Sequence, residues 1–123
     1  MKLEVLPQMF SVCKVADYGG FDLGAPFVFM GATDGEKSLV CPMALVPANT
    51  MARSDGWRAF RVAGTLDFSL VGILAALSKT LADAGVGIFA ISTFDTDYIL
   101  TKAEDFEHAL AALRAAGHDI ATP

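Results

Sequence analysis

Three aspartates and the loops that carry them hold most of the chemistry in this 123-residue sequence. Asp67 sits in Leu66-Asp67-Phe68-Ser69, which leads straight into a leucine-striped segment; Asp95 and Asp97 sit in Thr93-Phe94-Asp95-Thr96-Asp97, between two short apolar runs. A loop entering a helix offers N–H groups that have no intrahelical acceptor, and the helix macrodipole favours an anion there. Carboxylates do the reverse and hold an ammonium. Together the two kinds of group suit a free amino acid or a similar zwitterion. Ser69, Leu70 and Val71 offer the N–H groups, and Asp67, Asp95 and Asp97 offer the carboxylates. Gly72 lets backbone or ligand approach closely. Each residue also has a purely local role. Asp67 and Ser69 fit helix capping, with the Ser69 hydroxyl accepting from an N–H two or three residues on. Asp95, Thr96 and Asp97 fit a turn whose side chains bond their own backbone. Phe94 is out of place in a solvated turn and reads as a pocket wall or an interface side chain.

Other chemistries lack their residues. Asp95-Thr96-Asp97 with His108 and His118 contains no helical His–x₃–His or Glu–x–x–His pair, so no metal is expected. There is no Gly-x-Ser-x-Gly elbow, no phosphate loop and no ordered Cys–His–Asn set, so neither catalysis nor a cofactor is expected. Gly85-Val86-Gly87 falls between a helix and a strand, the reverse of a dinucleotide turn, and reads as a cap. Cys13 and Cys41 lie 28 residues apart in apolar runs, which matches no metal knuckle or redox pair; buried, reduced thiols are expected.

Composition narrows the partners. Hydrophobic residues make up 54% and a further 11 residues are glycine, where both together usually account for roughly 45–50%. That excess excludes disorder and suggests that a partner chain, in a homodimer, covers some apolar surface. The net charge is −5. It is spread evenly, with no basic stripe for nucleic acid. The longest uncharged stretch, residues 38–52, contains Pro42, Pro47 and Asn49, so no membrane span is expected. No signal peptide is recognisable at the N-terminus, and a cytoplasmic location is the default.

The elements that must position these groups differ between two halves. Residues 1–56 show short apolar runs at 3–6, 10–15, 27–30 and 38–42, separated by turn signals that include Asp34-Gly35 between two runs. This half reads as mostly sheet, with one short helical turn near residues 18–24 and a connecting loop over 46–56. Residues 57–64 alternate like a strand. Residues 69–84 place Leu70, Ile73, Leu74, Leu77 and Leu81 on one helical face, closed by Gly85. Strands follow at 86–92 and 98–101. A second helix spans 104–116 with Phe106, Leu110 and Leu113 buried, a Thr101–Glu104 capping box before it and Gly117 after it. A short strand at 118–121 ends the chain. The order is βαββαβ, a ferredoxin-like α+β arrangement with helices on one face of an antiparallel sheet. Domains of 1–56 and 57–123 follow.

The string Leu81-Ala82-Asp83-Ala84-Gly85-Val86-Gly87-Ile88 resembles the hallmark of ACT domains, small ligand-sensing modules of amino-acid metabolism. The strings over residues 64–74 and 88–98 are similar to the Castor-like branch of that superfamily. Phe10-Ser11-Val12-Cys13 and Glu36-Lys37-Ser38-Leu39-Val40-Cys41-Pro42 resemble, more loosely, the degenerate N-terminal ACT-like unit of its small bacterial members. The resemblance implies that residues 92–97 lie near the start of the first helix, of the same or a partner unit, and that Thr93, Phe94 and Asp97 match ligand-lining positions. It further implies a non-enzymatic regulatory module that binds an amino acid and acts on another protein. The alternative is an interaction protein that uses an ACT-like surface only to dimerise and recruit a partner.

Overall fold

The computed structural model describes residues 1–67 and 71–123. In chain order they form β1 (Lys2–Val5), β2 (Phe10–Val15), β3 (Phe29–Ala32), β4 (Lys37–Pro42), a 3₁₀ turn (Met43–Leu45), β5 (Thr50–Val62), α1 (Ile73–Asp83), β6 (Phe89–Ser92), β7 (Asp97–Lys102), α2 (Ala103–Ala115) and β8 (Asp119–Ala121). The contacts divide into two units, one of Met1–Pro7 with Arg58–Pro123 and one of Gln8–Trp57. Among the described residues no helix is long and apolar enough to cross a membrane.

The unit containing both helices is the ferredoxin-like α+β arrangement. Its strands run in the order β6-β7-β5-β1-β8. β6 and β7 pair antiparallel, as do β1 and β5, while β8 pairs parallel with β1. The N-terminal strand therefore separates the last strand from β5 and belongs with the helices, not with the half that follows it in sequence. Direct cross-strand partners share a face, so Leu3 with Val62 and Val5 with Phe60 line one side of the sheet. Both helices pack there. Leu77 and Leu81 of α1 and Phe106, Ala109, Leu110 and Leu113 of α2 join these four strand residues in one core. Burial of each large side chain contributes about 1.5–3 kcal/mol.

Both helices end in the same way. Gly85 adopts φ 76°, Val86 N–H donates to the Leu81 carbonyl at 2.9 Å, and Gly85 N–H donates to Ala82 at 3.0 Å. Gly117, His118, Leu113 and Arg114 repeat the pattern after α2. These are Schellman caps, satisfying carbonyls that the helices leave open. The start of α2 departs from expectation. Its N-cap is Lys102 with no side-chain cap bond, and the Thr101 hydroxyl donates instead to the Lys102 carbonyl at 3.1 Å, so the Thr101–Glu104 capping box is absent. His108 is exposed on α2, yet a ring N–H reaches the Ala84 carbonyl at the end of α1, 3.0 Å away.

In the unit Gln8–Trp57 the strand order is β3-β4-β2-β5. Cys13, Val15, Leu39 and Cys41 form its core, covered by Tyr18, Phe21, Val28 and Val46. The segment near residues 18–24 makes turns but no helix. The loop expected over 46–56 is largely strand, because β5 begins at Thr50. Against β2, pairing moves from Phe10–Trp57 to Val12–Ser54, which sets two steps of one strand against three of the other. This is a β-bulge, and the polar residues that read as a loop build it. Gly56 takes φ 79°, the Ser11 hydroxyl donates to Asp55 at 2.7 Å, and Arg53 pairs with Asp55 at 2.9 Å.

The two hairpins of the chain share one turn design. Thr33 N–H donates to the Glu36 carbonyl at 2.8 Å between β3 and β4, and Thr93 N–H donates to the Thr96 carbonyl at 2.9 Å between β6 and β7. In each, the threonine hydroxyl also reaches that carbonyl, at 3.3 Å and 3.0 Å.

Cys13 and Cys41 are buried and unbridged. Burial, reinforced by the neighbouring Cys13, pushes the Cys41 thiol up to about 11. The thiolate is the reactive form, so Cys41 in the native protein should resist alkylation by iodoacetamide at pH 8 and react fully in denaturant. Because the folded thiol holds its proton more tightly than the unfolded one, stability should fall as pH rises from about 9 towards 11, measured as a lower urea midpoint.

Candidate functional site

The unit with both helices carries a cavity of about 310 Å³, lined by Leu66, Asp67, residues 72–75 at the start of α1 and residues 92–97 around the β6–β7 turn. Backbone geometry brings these three segments together. The Leu66 N–H donates to the Asp95 carbonyl at 2.7 Å, fastening the segment after β5 to the turn. Thr93 closes the turn onto the Thr96 carbonyl. The Thr96 hydroxyl donates to the Val62 carbonyl at 2.7 Å, tying the turn to β5.

The helix side of the cavity begins at Gly72, which adopts φ 82° as the N-cap of α1. A left-handed residue cannot continue an α-helix, so the helix starts at Ile73 and not at residue 69. The first intrahelical bond is Ala76 N–H to the Gly72 carbonyl, at 2.9 Å. Helix geometry leaves the N–H groups of Ile73, Leu74 and Ala75 without an intrahelical acceptor. The N-cap, a glycine, supplies no side-chain cap bond, and the first turn contains no acidic residue to offset the dipole.

Leu66, Asp67, Thr93, Phe94, Asp95 and Asp97, expected from sequence to contact a ligand, all line this cavity. Val71 does not. It lies outside the helix with 90% of its surface exposed, so its N–H is not a helix-start donor; that role passes to Ile73, Leu74 and Ala75. Phe68, Ser69 and Leu70 lie outside the described residues, as does the expected Ser69 cap. Sequence reasoning also passed over Ser92, whose hydroxyl donates to the Asp97 carboxylate at 2.6 Å, and it read Thr96 only as a turn residue. Both are ordinary residues locally; Ser92 takes its role across its own hairpin, and Thr96 takes its role from β5, remote in sequence.

Three carboxylates line the cavity, and no lysine, arginine or histidine does among the described residues. The lining therefore combines groups of opposite character: the start of a helix, with the positive end of its dipole, and three carboxylate residues. Phe94 lines the cavity and still exposes 78% of its surface at the turn tip. Among the described residues, no three His, Cys, Asp or Glu side chains are grouped to hold a metal ion.

A second cavity of about 210 Å³ lies in the same unit, lined by Glu4, Arg61, Val62, Gly64, Asp95, Thr96 and Tyr98. Arg61 is 3.1 Å from Glu4 and donates to the Tyr98 hydroxyl at 3.2 Å. The bonds to Tyr98 and Glu4 hold the guanidinium above its ordinary range, fully charged. Asp95 and Thr96 line both cavities.

Adding a Cβ at Gly72 meets nothing within 4 Å, so only the left-handed backbone opposes a side chain there. Gly72→Ala should lower stability by about 1–2 kcal/mol in urea unfolding and loosen the first turn of α1 in hydrogen exchange.

Known proteins resemble this chain in sequence and in fold. Residues 52–115 match the family described as the ACT domain. The crystal structure of an Agobacterium tumefaciens protein is 30% identical, with a TM-score of 0.86 over 99% of this chain and 92% of that one. A Vibrio cholerae protein, described as of unknown function and a possible transport protein, is 21% identical, with a TM-score of 0.67 over 90% and 85%. The aspartate kinase of Clostridium acetobutylicum, described as an allosteric enzyme, shares the fold at 15% identity, with a TM-score of 0.65; 89% of this chain matches 32% of that one.

Proposed function

The chain belongs to the ACT domain family, and from that premise we propose that it is a non-enzymatic binding module which senses an amino acid or a similar zwitterion. One observation carries this reading: the 310 Å³ cavity opposes the open N–H groups at the start of α1 to Asp67, Asp95 and Asp97. An α-amino acid carries its carboxylate and ammonium a few ångströms apart and matches that polarity end for end. The volume stands at the small end of ligand pockets, which suits a ligand of this size. Binding would stabilise the conformation that closes on the ligand and so shift the population available to a protein target.

The finer parts of the reading rest on the sequence. The strings at residues 64–74 and 88–98 support a place in the Castor-like branch, and the alternation of short strands and turns in Gln8–Trp57 supports a degenerate ACT-like unit. The shared turn design of the β3–β4 and β6–β7 hairpins adds to that second point. In this reading the 3₁₀ turn Met43–Leu45 stands where α2 follows β7, and no helix precedes β3. A homodimer and a cytoplasmic location complete the proposal. The exposed Phe94 and Val71 favour a second reading, a protein that recruits a partner through this face without a ligand.

A thermal-shift panel of the twenty amino acids separates the two. A ligand at 100 times its Kd adds about 2.7 kcal/mol of stability, so at least one amino acid should raise the melting temperature. Neutral or cationic amino acids should do so in preference to aspartate and glutamate, which would add an anion to three carboxylates. Asp97→Ala should abolish the shift while leaving the fold intact. No response to any member of the panel sinks the sensor reading and leaves the recruiting one.

A further inference from the structure

We infer that Thr96 is a positioning residue of this site, holding the acidic turn against β5 so that Asp95 and Asp97 face the start of α1. The inference deepens the ligand-binding reading and rests on it for its meaning, but its structural content can be tested without any ligand.

The backbone of β5 explains why a side chain is needed. Ala63 N–H donates to the Lys2 carbonyl at 2.9 Å, and Leu6 N–H donates to Ala59 at 3.0 Å. In an antiparallel pair hydrogen-bonded and non-bonded partners alternate, so Val62, opposite Leu3, directs its carbonyl away from β1 and towards β7. β7 begins only at Asp97. The Thr96 backbone is spent within its own turn, its carbonyl accepting from Thr93 N–H and its N–H donating to the Thr93 hydroxyl. The bond to Val62 therefore comes from the Thr96 hydroxyl, at 2.7 Å and with only 7% of the residue exposed.

The sister hairpin shows that the turn itself does not require this bond. Thr33–Glu36 closes with the same threonine-to-carbonyl pair, yet Glu36 at the fourth position is exposed and its described bonds run only to Thr33 and Ser38 of its own hairpin. A carboxylate side chain suffices there to complete the turn. A buried threonine in the same place answers a different demand, which is anchoring. The anchor also governs space. Asp95 and Thr96 are walls of both the 310 Å³ and the 210 Å³ cavity, so a turn released from β5 widens one at the expense of the other. The Leu66–Asp95 bond at 2.7 Å then loses its fixed acceptor, and Leu66 and Asp67 lose their register with the turn.

Amide hydrogen exchange on Thr96→Val, which keeps the shape and removes the donor, tests this directly. Loss of one buried hydrogen bond should accelerate exchange at the Leu66 and Thr93 amides roughly tenfold. Leu6, bonded to Ala59, and Thr33, bonded to Glu36, should be unchanged. Thr96→Ser should restore the wild-type pattern. Titrated with glycine, the minimal zwitterion, Thr96→Val should bind roughly tenfold more weakly than wild type and Thr96→Ser about equally. Unchanged exchange at Leu66 and Thr93, acceleration spread evenly to Leu6 and Thr33, a serine variant that behaves like valine, or glycine binding unaffected by Thr96→Val would each overturn the inference. Localised exchange as described, with no glycine response even in wild type, supports the anchor and overturns the ligand reading instead.

Discussion

Antiparallel strands offer hydrogen-bonding groups on alternating sides, and at the end of β5 that alternation leaves the Val62 carbonyl facing the β6–β7 turn. The arrangement of the cavity follows from how this one acceptor is satisfied. A hydroxyl from Thr96 meets it, the turn is drawn against the strand, and the Asp95 carbonyl is carried to where Leu66 N–H can bond it. Two short hydrogen bonds thus fasten the β6–β7 turn to the end of β5 and to the segment just after it. None of the cavity's carboxylates takes part in either bond.

The helix side obeys a complementary constraint. Gly72 turns left-handed, so α1 starts with N–H groups that have no intrahelical acceptor and with no acidic residue in its first turn. A serine or aspartate cap in ordinary N-cap geometry would have filled the same donors, but Gly72 is left-handed, a conformation that opposes any side chain. The uncapped start is a local weakness, and it lies where a ligand carboxylate has most to gain. The other ends of both helices, by contrast, carry Schellman caps.

Much of this was legible from residue pattern. Alternating or continuous apolar runs marked β1, β2, β4 and β7, and the spacing of Ile73, Leu74, Leu77 and Leu81 marked α1. The aspartates of the cavity declared themselves as carboxylates set in turns. What escaped was non-local. Ser54, Asp55 and Gly56 form turns in isolation, and only the facing β2 makes them a bulge within a strand. The start of α1 shifted because the leucine stripe extends past Gly72, whose backbone conformation no periodicity reports. Ile73 and Ala75 reach the cavity through peptide groups or apolar contact, and Thr96 shapes it through a strand 34 residues away. Residues that contribute backbone or anchorage leave no chemical signature in a one-dimensional string.

The place of β1 bears on how the protein is made. The strand precedes both helices in sequence, yet its partners are the second part of β5 and, in parallel, β8, which follows α2. Parallel and sequence-distant pairings form slowly because loop closure must come first. Until residues 119–121 have been synthesised, β1 has one neighbour and an open flank of backbone donors and acceptors. The helix-bearing unit is thus completed only when β8 is in place, and a chain lacking residues 119–121 would present an unprotected strand edge to whatever lies nearby.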